Sequence, residues 1–275
     1  MSRFKLRPIF LKGAGGRIFA LLYLPKVAKR GVLFVPPFAE ELNKCRRQIT
    51  QTARSLADEG CAVLVVDLFG TGDSESDFSK ARWEIWKSDV TTAISWMESD
   101  GPAVDAIVAT RLGCALAAES LREASRSVLN TVFWQPVVSG RQFMTQFLRL
   151  QVAASMMESD TQITVETLRA KLEAGSSIEV AGYKLTPELW RSVEEVDLLS
   201  SLNRGLGELH IVEVGRMRKD GLSIQGQRLM AVAQEQGIRV KGQRVPGDPI
   251  WAATEIVTNS LLEEATVAHL AQRIL

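Results

Sequence analysis

Short apolar runs alternate with helical patterns over the first half of the chain. The strongest run, CAVLVVDL at 61–68, is apolar almost throughout and rich in valine, which is typical of a strand buried on both faces of a parallel sheet. Four further runs predict strands: 17–23, 31–35, 104–110 and 127–134. Three intervening segments carry apolar residues at helical spacing: 41–59, 80–99 and 111–124. The alternation predicts βα units and a doubly wound, mostly parallel sheet.

The pattern changes after residue 136. Residues 137–205 contain helical stretches but no convincing buried strand. The alternation then resumes, with a strand, a helix, a second strand and a final helix at 208–214, 222–236, 238–245 and 252–273. We therefore expect an α/β core formed by 1–136 and 206–275, and a helical cap formed by 137–205. Such an insertion would lie over the carboxyl ends of the strands, where ligands bind in these folds.

Composition and charge narrow the class of protein. The 275 residues are 46% hydrophobic and 24% charged with a net charge of +1, which is typical of a soluble globular protein and favours no nucleic-acid partner. No apolar run approaches the roughly 20 residues that span a bilayer. Arg7, Lys12 and Arg17 interrupt the N-terminal apolar runs too often for a signal peptide. Three cysteines without CxxC spacing favour a reducing compartment, so we expect a cytoplasmic protein.

Three segments carry a family resemblance. VDLFGTGDS at 66–74 is similar to the D-x-x-G-x-G-x-S turn that follows an early core strand in many hydrolases. VDAIVATRLGCALAAE at 104–119 resembles the strand, sharp turn and helix that carry a nucleophile, and GQRVPGDPIW at 242–251 falls where a histidine-bearing loop is expected. With the order of elements, these segments resemble the α/β-hydrolase fold with a cap.

A narrower resemblance rests on three strings: VPPFAEELNKCRRQ, DLFGTGDSESDF and ARWEIWKSDV. Together they look like the second type of hydrolase-like protein associated with the exosortase A system. That resemblance implies a bacterial setting of exported PEP-CTERM proteins and exopolysaccharide. It also implies a small molecule or an exosortase-system protein as the partner, and it specifies no reaction.

The positions that the resemblance aligns with a catalytic triad hold other residues. The elbow pattern G-x-S-x-G corresponds to residues 109–113, ATRLG, so Arg111 stands at the nucleophile position, and arginine is never deprotonated in proteins. Asp248 stands where a histidine is expected. Proline at 36 and 37 removes two backbone donors from the oxyanion loop, which leaves Phe38 or Ala39 to supply one. Ordinary serine hydrolysis is therefore not expected.

Arg111 is predicted to need a counter-charge. A guanidinium buried at a helix N-terminus is unfavourable unless an acid or an anionic ligand neutralises it. Asp248 and Glu41 are the first candidates, followed by Glu40 and Asp73. The residues expected to contact a ligand are four: Phe38, Arg111, Leu112 and Trp251.

Other notable residues are predicted to be structural. His210 and His269 lack metal-ligand spacing, and we expect neither a metal nor a cofactor. Cys45 and Cys114 are expected to be buried, and the G-T-G-D-S string at 70–74 to be a turn and not a phosphate loop.

Three functions remain open. The first is a hydrolase-like protein with a retired site that binds a small molecule, for instance an anionic one, or a partner. The second is an active hydrolase of esters, thioesters or amides that uses Glu40, Glu41 or Asp73 as the base and Arg111 as an electrostatic stabiliser. The third is an interaction protein with a closed pocket. An enzyme needs a cavity that reaches Arg111 and a carboxylate with a raised pKa, whereas a binding protein needs the cavity alone.

Overall fold

The computed structural model describes residues 3–158, 163–215 and 221–271. Ten strands occur among them: β1 Phe4–Lys12, β2 Arg17–Pro25, β3 Arg30–Val35, β4 Cys61–Val66, β5 Val104–Thr110, β6 Asn130–Trp134, β7 Ile178–Val180, β8 Tyr183–Leu185, β9 Glu208–Val214 and β10 Val240–Val245. The α-helices of the same ranges are α1 Glu40–Asp58, α2 Trp83–Asp100, α3 Gly113–Glu123, α4 Gly140–Glu158, α5 Val165–Glu173, α6 Pro187–Glu194, α7 Leu198–Ser201, α8 Ile224–Glu235 and α9 Ser260–Ala271.

Eight of the strands form one sheet in the order β1-β2-β4-β3-β5-β6-β9-β10. The β1–β2 and β2–β4 pairs are antiparallel, and every pair from β4 to β10 is parallel. The mostly parallel sheet predicted from the apolar runs is confirmed. Because its parallel strands all end at the same edge, the loops after β3, β5, β6, β9 and β10 converge there.

Alternate residues of the central strands face two separate cores. In β3, Val32 and Phe34 pack on the side that α1 and α9 cover, whereas Leu33 and Val35 pack on the side of α2, α3 and the cap. Both faces are buried, which explains why β3 and β4 appear in the sequence as continuous apolar runs and not as alternating ones. None of the described helices is long and apolar enough to cross a membrane.

Two sequence predictions were wrong in part. Residues 137–205, predicted to be purely helical, also contain the antiparallel hairpin of β7 and β8, whose strands are only three residues long and too short to show a period. The last helix begins at Ser260 and not at residue 252, and residues 272–273 lie outside the described part. The Asn259 side chain accepts a hydrogen bond from Leu262 N–H at 3.0 Å and so caps this helix.

The turn after β4 is structural, as predicted. The buried Asp67 carboxylate accepts hydrogen bonds from Arg46 and from the backbone N–H of Asp73, both at 3.0 Å. The Ser74 hydroxyl donates to the Asp67 carbonyl oxygen at 2.6 Å and accepts from Phe19 N–H at 2.8 Å, which ties the turn to β2. The Arg46 side chain therefore helps to hold this turn.

Asp89 on α2 is fully buried and titrates in an unusual range. One carboxylate oxygen accepts from Phe69 N–H at 2.9 Å, and the other has no hydrogen-bond partner. Burial raises the pKa of Asp89 to about 7, against the opposing effect of the Phe69 hydrogen bond. The folded protein therefore holds a proton on Asp89 that the unfolded chain releases in mildly acidic solution.

We expect Asp89→Asn to become stabilising relative to the wild type as the pH rises. Because the folded pKa is raised, the wild type loses unfolding free energy between about pH 4 and pH 7, and the amide avoids this loss. Between pH 5 and pH 8 the difference should move by about 2–3 kcal/mol in favour of the variant, measured by urea unfolding. Asp58→Asn, at an exposed position on α1, is the control and should follow the wild type. If the unfolding free energies of the wild type and Asp89→Asn change in parallel with pH, the raised pKa of the buried Asp89 carboxyl is contradicted.

Candidate functional site

Arg111 occupies a sharp turn between β5 and α3. Its φ of +57° is uncommon for a residue other than glycine, and its N–H donates to the Trp134 carbonyl oxygen at 2.9 Å. Small neighbours make the turn possible: Ala109 is fully buried, and a Cβ atom on Gly113 would lie 2.3 Å from the Pro36 carbonyl oxygen. The backbone thus has the strained strand-to-helix geometry expected of a nucleophile elbow, with arginine at its tip.

The Arg111 guanidinium is neutralised by Glu41. Its Nε donates to Glu41 Oε1 at 3.0 Å, and its Nη1 donates to the Gln135 carbonyl oxygen at 3.4 Å. The two side chains of the pair are 13% and 9% exposed, so the pair is largely removed from water. The prediction that Arg111 pairs with a nearby carboxylate is confirmed for Glu41. The other guanidinium N–H groups have no acceptor among the described residues.

Two aromatic rings enclose the guanidinium. Arg111 Cζ lies 5.0 Å from the ring centroid of Trp251 and 5.9 Å from that of Phe143. Both distances allow a favourable cation–π interaction. Trp251 comes from the loop after β10 and Phe143 from α4, so core and cap both contribute to holding Arg111. The sequence prediction placed Trp251 near the pocket, and the structure puts it against Arg111.

Glu40 and Glu41, at the start of α1, both have raised pKa values. Burial raises the pKa of Glu41 to about 7, against the opposing charge of Arg111. Burial likewise raises the pKa of Glu40. Each residue has a buried Oε2 atom without a hydrogen-bond partner. Of the two adjacent carboxylates only Glu41 pairs with Arg111, and near neutral pH the site can take up a proton at Glu41.

Asp248 and Asp73 do not pair with Arg111, which corrects two of the candidate counter-charges. Both side chains are exposed, and neither is among the ion pairs within 4.0 Å that the described residues form. In the loop after β10 the chain buries Ile250 and Trp251, which turns Asp248 outward. Asp73 lies on the outer side of its turn, where only its backbone N–H reaches Asp67.

Phe38 and Leu112 lie in the wall between core and cap. They are 4% and 1% exposed. The Phe38 ring is the centre of an aromatic cluster, with centroid distances of 5.2–5.8 Å to four rings: Phe78, Trp86, Phe143 and Phe147. The apolar cavity beside Phe38 and Leu112 measures only about 10 Å³. An apolar acyl group has no open space there, and a ligand contact of Phe38 or Leu112 stays a prediction.

A larger, polar cavity of about 200 Å³ lies on the other side of Arg111. Most of its lining comes from the ends of β6 and β9 and from α4. The lining includes Arg111, Gln135, Ser139, Gln142, Phe143, Gln146, Glu213, Ser223 and Gln225. The glutamines come from segments up to 90 residues apart and share no spacing, so the sequence carried no signal for this cavity. Glu40 and Glu41 do not line it.

Backbone donors remain at both positions where an oxyanion hole is expected. The N–H groups of Phe38, Ala39 and Leu112 have no hydrogen-bond acceptor among the described residues. Ala39 also has a positive φ of 49°, which aims the loop after β3 toward the elbow. Unused backbone donors therefore remain on both sides of the elbow, although the residue at its tip is arginine.

The burial predicted for Cys45 and Cys114 is confirmed. Cys45 and Cys114 are fully buried, and burial raises the pKa of both thiols. The rings of His210 and His269 contact each other on the side of the sheet that α9 covers, tilted by 48° with their centroids 4.7 Å apart, and burial lowers the pKa of His210 to about 4. No group of three or more histidine, cysteine or acidic residues within the described ranges is placed to hold a metal ion.

Comparison with known proteins finds similarity in structure and none in sequence. No protein-family model matches the chain, and no curated protein matches it. Est1E of Butyrivibrio proteoclasticus, solved with ferulic acid bound, superposes with a TM-score of 0.69 at 14% identity, over 97% of this chain and 99% of that one. An esterase from Pyrococcus furiosus gives a TM-score of 0.60 at 11% identity over 98% and 89%, and one from Pyrobaculum calidifontis gives 0.56 at 15% over 98% and 85%. At these identities the likeness shows a common fold.

Removing one member of the Arg111–Glu41 pair should destabilise the protein asymmetrically. We expect Glu41→Gln to cost about 3–5 kcal/mol, because arginine cannot lose its proton and stays charged and buried. Arg111→Met should cost less, because Glu41 can take up a proton and become neutral. The double variant should cost less than the sum of the two single variants, as judged by urea unfolding at pH 7.

The exposed pair of Arg126 and Glu98 supplies the control, and Arg126→Met should cost less than about 1 kcal/mol. Additive single effects at Arg111 and Glu41 would show that the two side chains do not interact.

Proposed function

We propose that this chain, which has the α/β-hydrolase fold, does not hydrolyse esters through a serine triad but binds a small polar molecule beside Arg111. One observation carries the proposal: the residue at the elbow is a buried arginine, held by Glu41 and facing a polar cavity of about 200 Å³. On this proposal the triad is degenerate, with Arg111 at the nucleophile position and Asp248 at the histidine position.

The chemistry of the elbow supports binding over catalysis. A guanidinium is neither a nucleophile nor a base, but it is a strong hydrogen-bond donor to carboxylates and phosphates. Two N–H groups of Arg111 contact Glu41 and Gln135, and the unused ones suit an acceptor in the cavity. The histidines are no source of a base, since His210 packs against His269 on the far side of the sheet and is neutral above about pH 4.

An anionic ligand is compatible with the charge balance because Glu41 can respond to it. With Glu41 ionised, the pair with Arg111 is neutral and offers an anion little net attraction. Because the pKa of Glu41 is about 7, protonating Glu41 near neutral pH costs little free energy. The full positive charge of Arg111 is then available to the ligand. An anion would therefore bind together with a proton, and more tightly at pH 6 than at pH 8.

A second candidate is a hydrolase in which Glu41 is the general base. The raised pKa of Glu41 and the cavity at Arg111 are the two features that an enzyme needs. Glu41 does not line the cavity, however, and its free Oε2 atom is buried, so a water molecule held by Glu41 would not reach a substrate in this conformation. Glu40 has the same limitation, and Asp73 is exposed on its turn.

The biological setting stays a proposal that rests on the sequence. The strings around PPFAEELNK support an association with the exosortase and PEP-CTERM systems, and a partner protein there is an alternative to a small ligand. Glu40, Glu41 and Phe38 of that string lie at the elbow and at the core of the cap contact, so the resemblance includes the site itself. All three cysteines are free and buried, which supports a cytoplasmic location.

Turnover of short p-nitrophenyl esters and thioesters tests the proposal. The wild type should not exceed the rate in buffer, because the elbow carries no nucleophile. Arg111→Ser should show a small gain, since the unused N–H groups of Phe38, Ala39 and Leu112 can stabilise an oxyanion, and Arg122→Ser on the exposed face of α3 is the matched control. Wild-type turnover above the rate in buffer, lost in a Glu41→Gln variant that still unfolds cooperatively in urea, would instead establish the hydrolase.

A further inference from the structure

The cavity beside Arg111 is walled by neutral groups that both donate and accept hydrogen bonds. Four amides and two hydroxyls line it: Gln135, Gln142, Gln146, Gln225, Ser139 and Ser223. Its one carboxylate is already engaged, since the two oxygens of Glu213 accept from the N–H and the hydroxyl of Ser223, both at 2.6 Å. Among the described residues the wall thus presents mostly amides and hydroxyls, together with the charges of Arg111 and Glu213.

Much of the hydrogen-bonding capacity of the glutamines is unused. Gln225 Nε2 donates to Gln142 Oε1 at 3.0 Å, and Gln135 Oε1 accepts from Val214 N–H at 2.9 Å. These bonds fix the orientation of three amides and leave the Nε2 atoms of Gln135 and Gln142 and the Oε1 atom of Gln225 without a protein partner among the described residues. Unused donors and unused acceptors therefore both line the cavity, and hydroxyl groups match such a mixture because each hydroxyl also does both.

The size and polarity of the cavity restrict the ligand further. About 200 Å³ is room for a small polar molecule, and the exposed side chains of Gln142, Gln146 and Gln225 show that the cavity opens to solvent. The apolar cavity beside Phe38 and Leu112 cannot hold a ligand group, because the aromatic cluster around Phe38 leaves only about 10 Å³ there. A ligand with a large aryl or alkyl group therefore has nowhere to bury it.

We propose that the ligand of this cavity is a hydroxylated carboxylic acid of monosaccharide size, with its carboxylate on Arg111 and its hydroxyls on the glutamine wall. The inference rests on the proposed binding function and specifies the ligand class. Arg111, which lines the cavity, supplies a planar fork of N–H groups that matches a carboxylate.

Calorimetric titration at pH 6.5 with three probes tests this inference. D-glucuronate carries both the carboxylate and the hydroxyls, hexanoate carries the carboxylate alone, and D-glucose carries the hydroxyls alone. Glucuronate should bind at least 10-fold more tightly than either control. Gln142→Ala and Gln146→Ala should each weaken glucuronate about 5-fold, the typical effect of one lost hydrogen bond. Gln234→Ala, at an exposed position on α8 away from the cavity, is the matched control and should change nothing.

Arg111→Lys keeps the positive charge but loses the planar fork of N–H groups. It therefore separates an effect on carboxylate binding from an effect on folding. We expect it to weaken the binding of glucuronate at least 10-fold. Hexanoate binding as tight as glucuronate, and weakened by Arg111→Lys, would overturn the sugar-acid inference while leaving the binding function intact. Equal affinities of Gln142→Ala, Gln146→Ala and Gln234→Ala for glucuronate would also overturn the inference. No binding of any of the three probes at millimolar concentration would overturn both proposals.

Discussion

A guanidinium buried at the end of a central strand has to be neutralised, and in this protein Glu41 does so. The Nε–Oε1 contact of 3.0 Å joins the first turn of α1, which follows β3, to the turn after β5, at the edge of the sheet where the strands end. Trp251 from the last loop and Phe143 from the cap close over the same guanidinium. Four separate segments therefore depend on one charged side chain for their relative positions.

The fold makes this pairing possible because of strand order. β3 lies directly beside β5 in the parallel part of the sheet, so α1 and α3 both begin at the same edge. Glu41 is in the first turn of α1, where a helix N-terminus favours a negative charge, whereas Arg111 precedes α3, where a positive charge is unfavourable. The two helix N-termini thus stabilise the negative charge of Glu41 and destabilise the positive charge of Arg111. The ion pair offsets the unfavourable position of the arginine.

The sequence predicted the fold well because the signals were strong and local. The valine-rich run at 61–68 and the neighbouring runs of similar kind could only be buried strands, and their alternation with helical stretches determined the sheet. The β7–β8 hairpin was missed because each strand has three residues, and the start of α9 was misplaced because its signal was a single capping residue, Asn259.

The site was predicted in part. Arg111 was identified from the residues around a sharp turn, and Glu41 from its nearness to the loop after β3. Asp248 was a reasonable second partner, but the burial of Ile250 and Trp251 in the same loop decided its direction, and that choice depends on tertiary packing. The glutamine wall was not predictable, because it is assembled from residues that lie far apart along the chain and become neighbours only in the fold.

The ion pair of Glu41 and Arg111 can be tested directly by titrating the Glu41 carboxyl group. Its ¹³C NMR signal is recorded against pH in the wild type and in Arg111→Met. The signal can be assigned by its absence in Glu41→Gln. Because burial raises the pKa and Arg111 lowers it, a buried ion pair predicts a midpoint near pH 7 in the wild type and a clearly higher one in Arg111→Met. A midpoint close to 4.5, unchanged in the variant, would contradict it, since it would mean that Glu41 is solvated and does not hold Arg111.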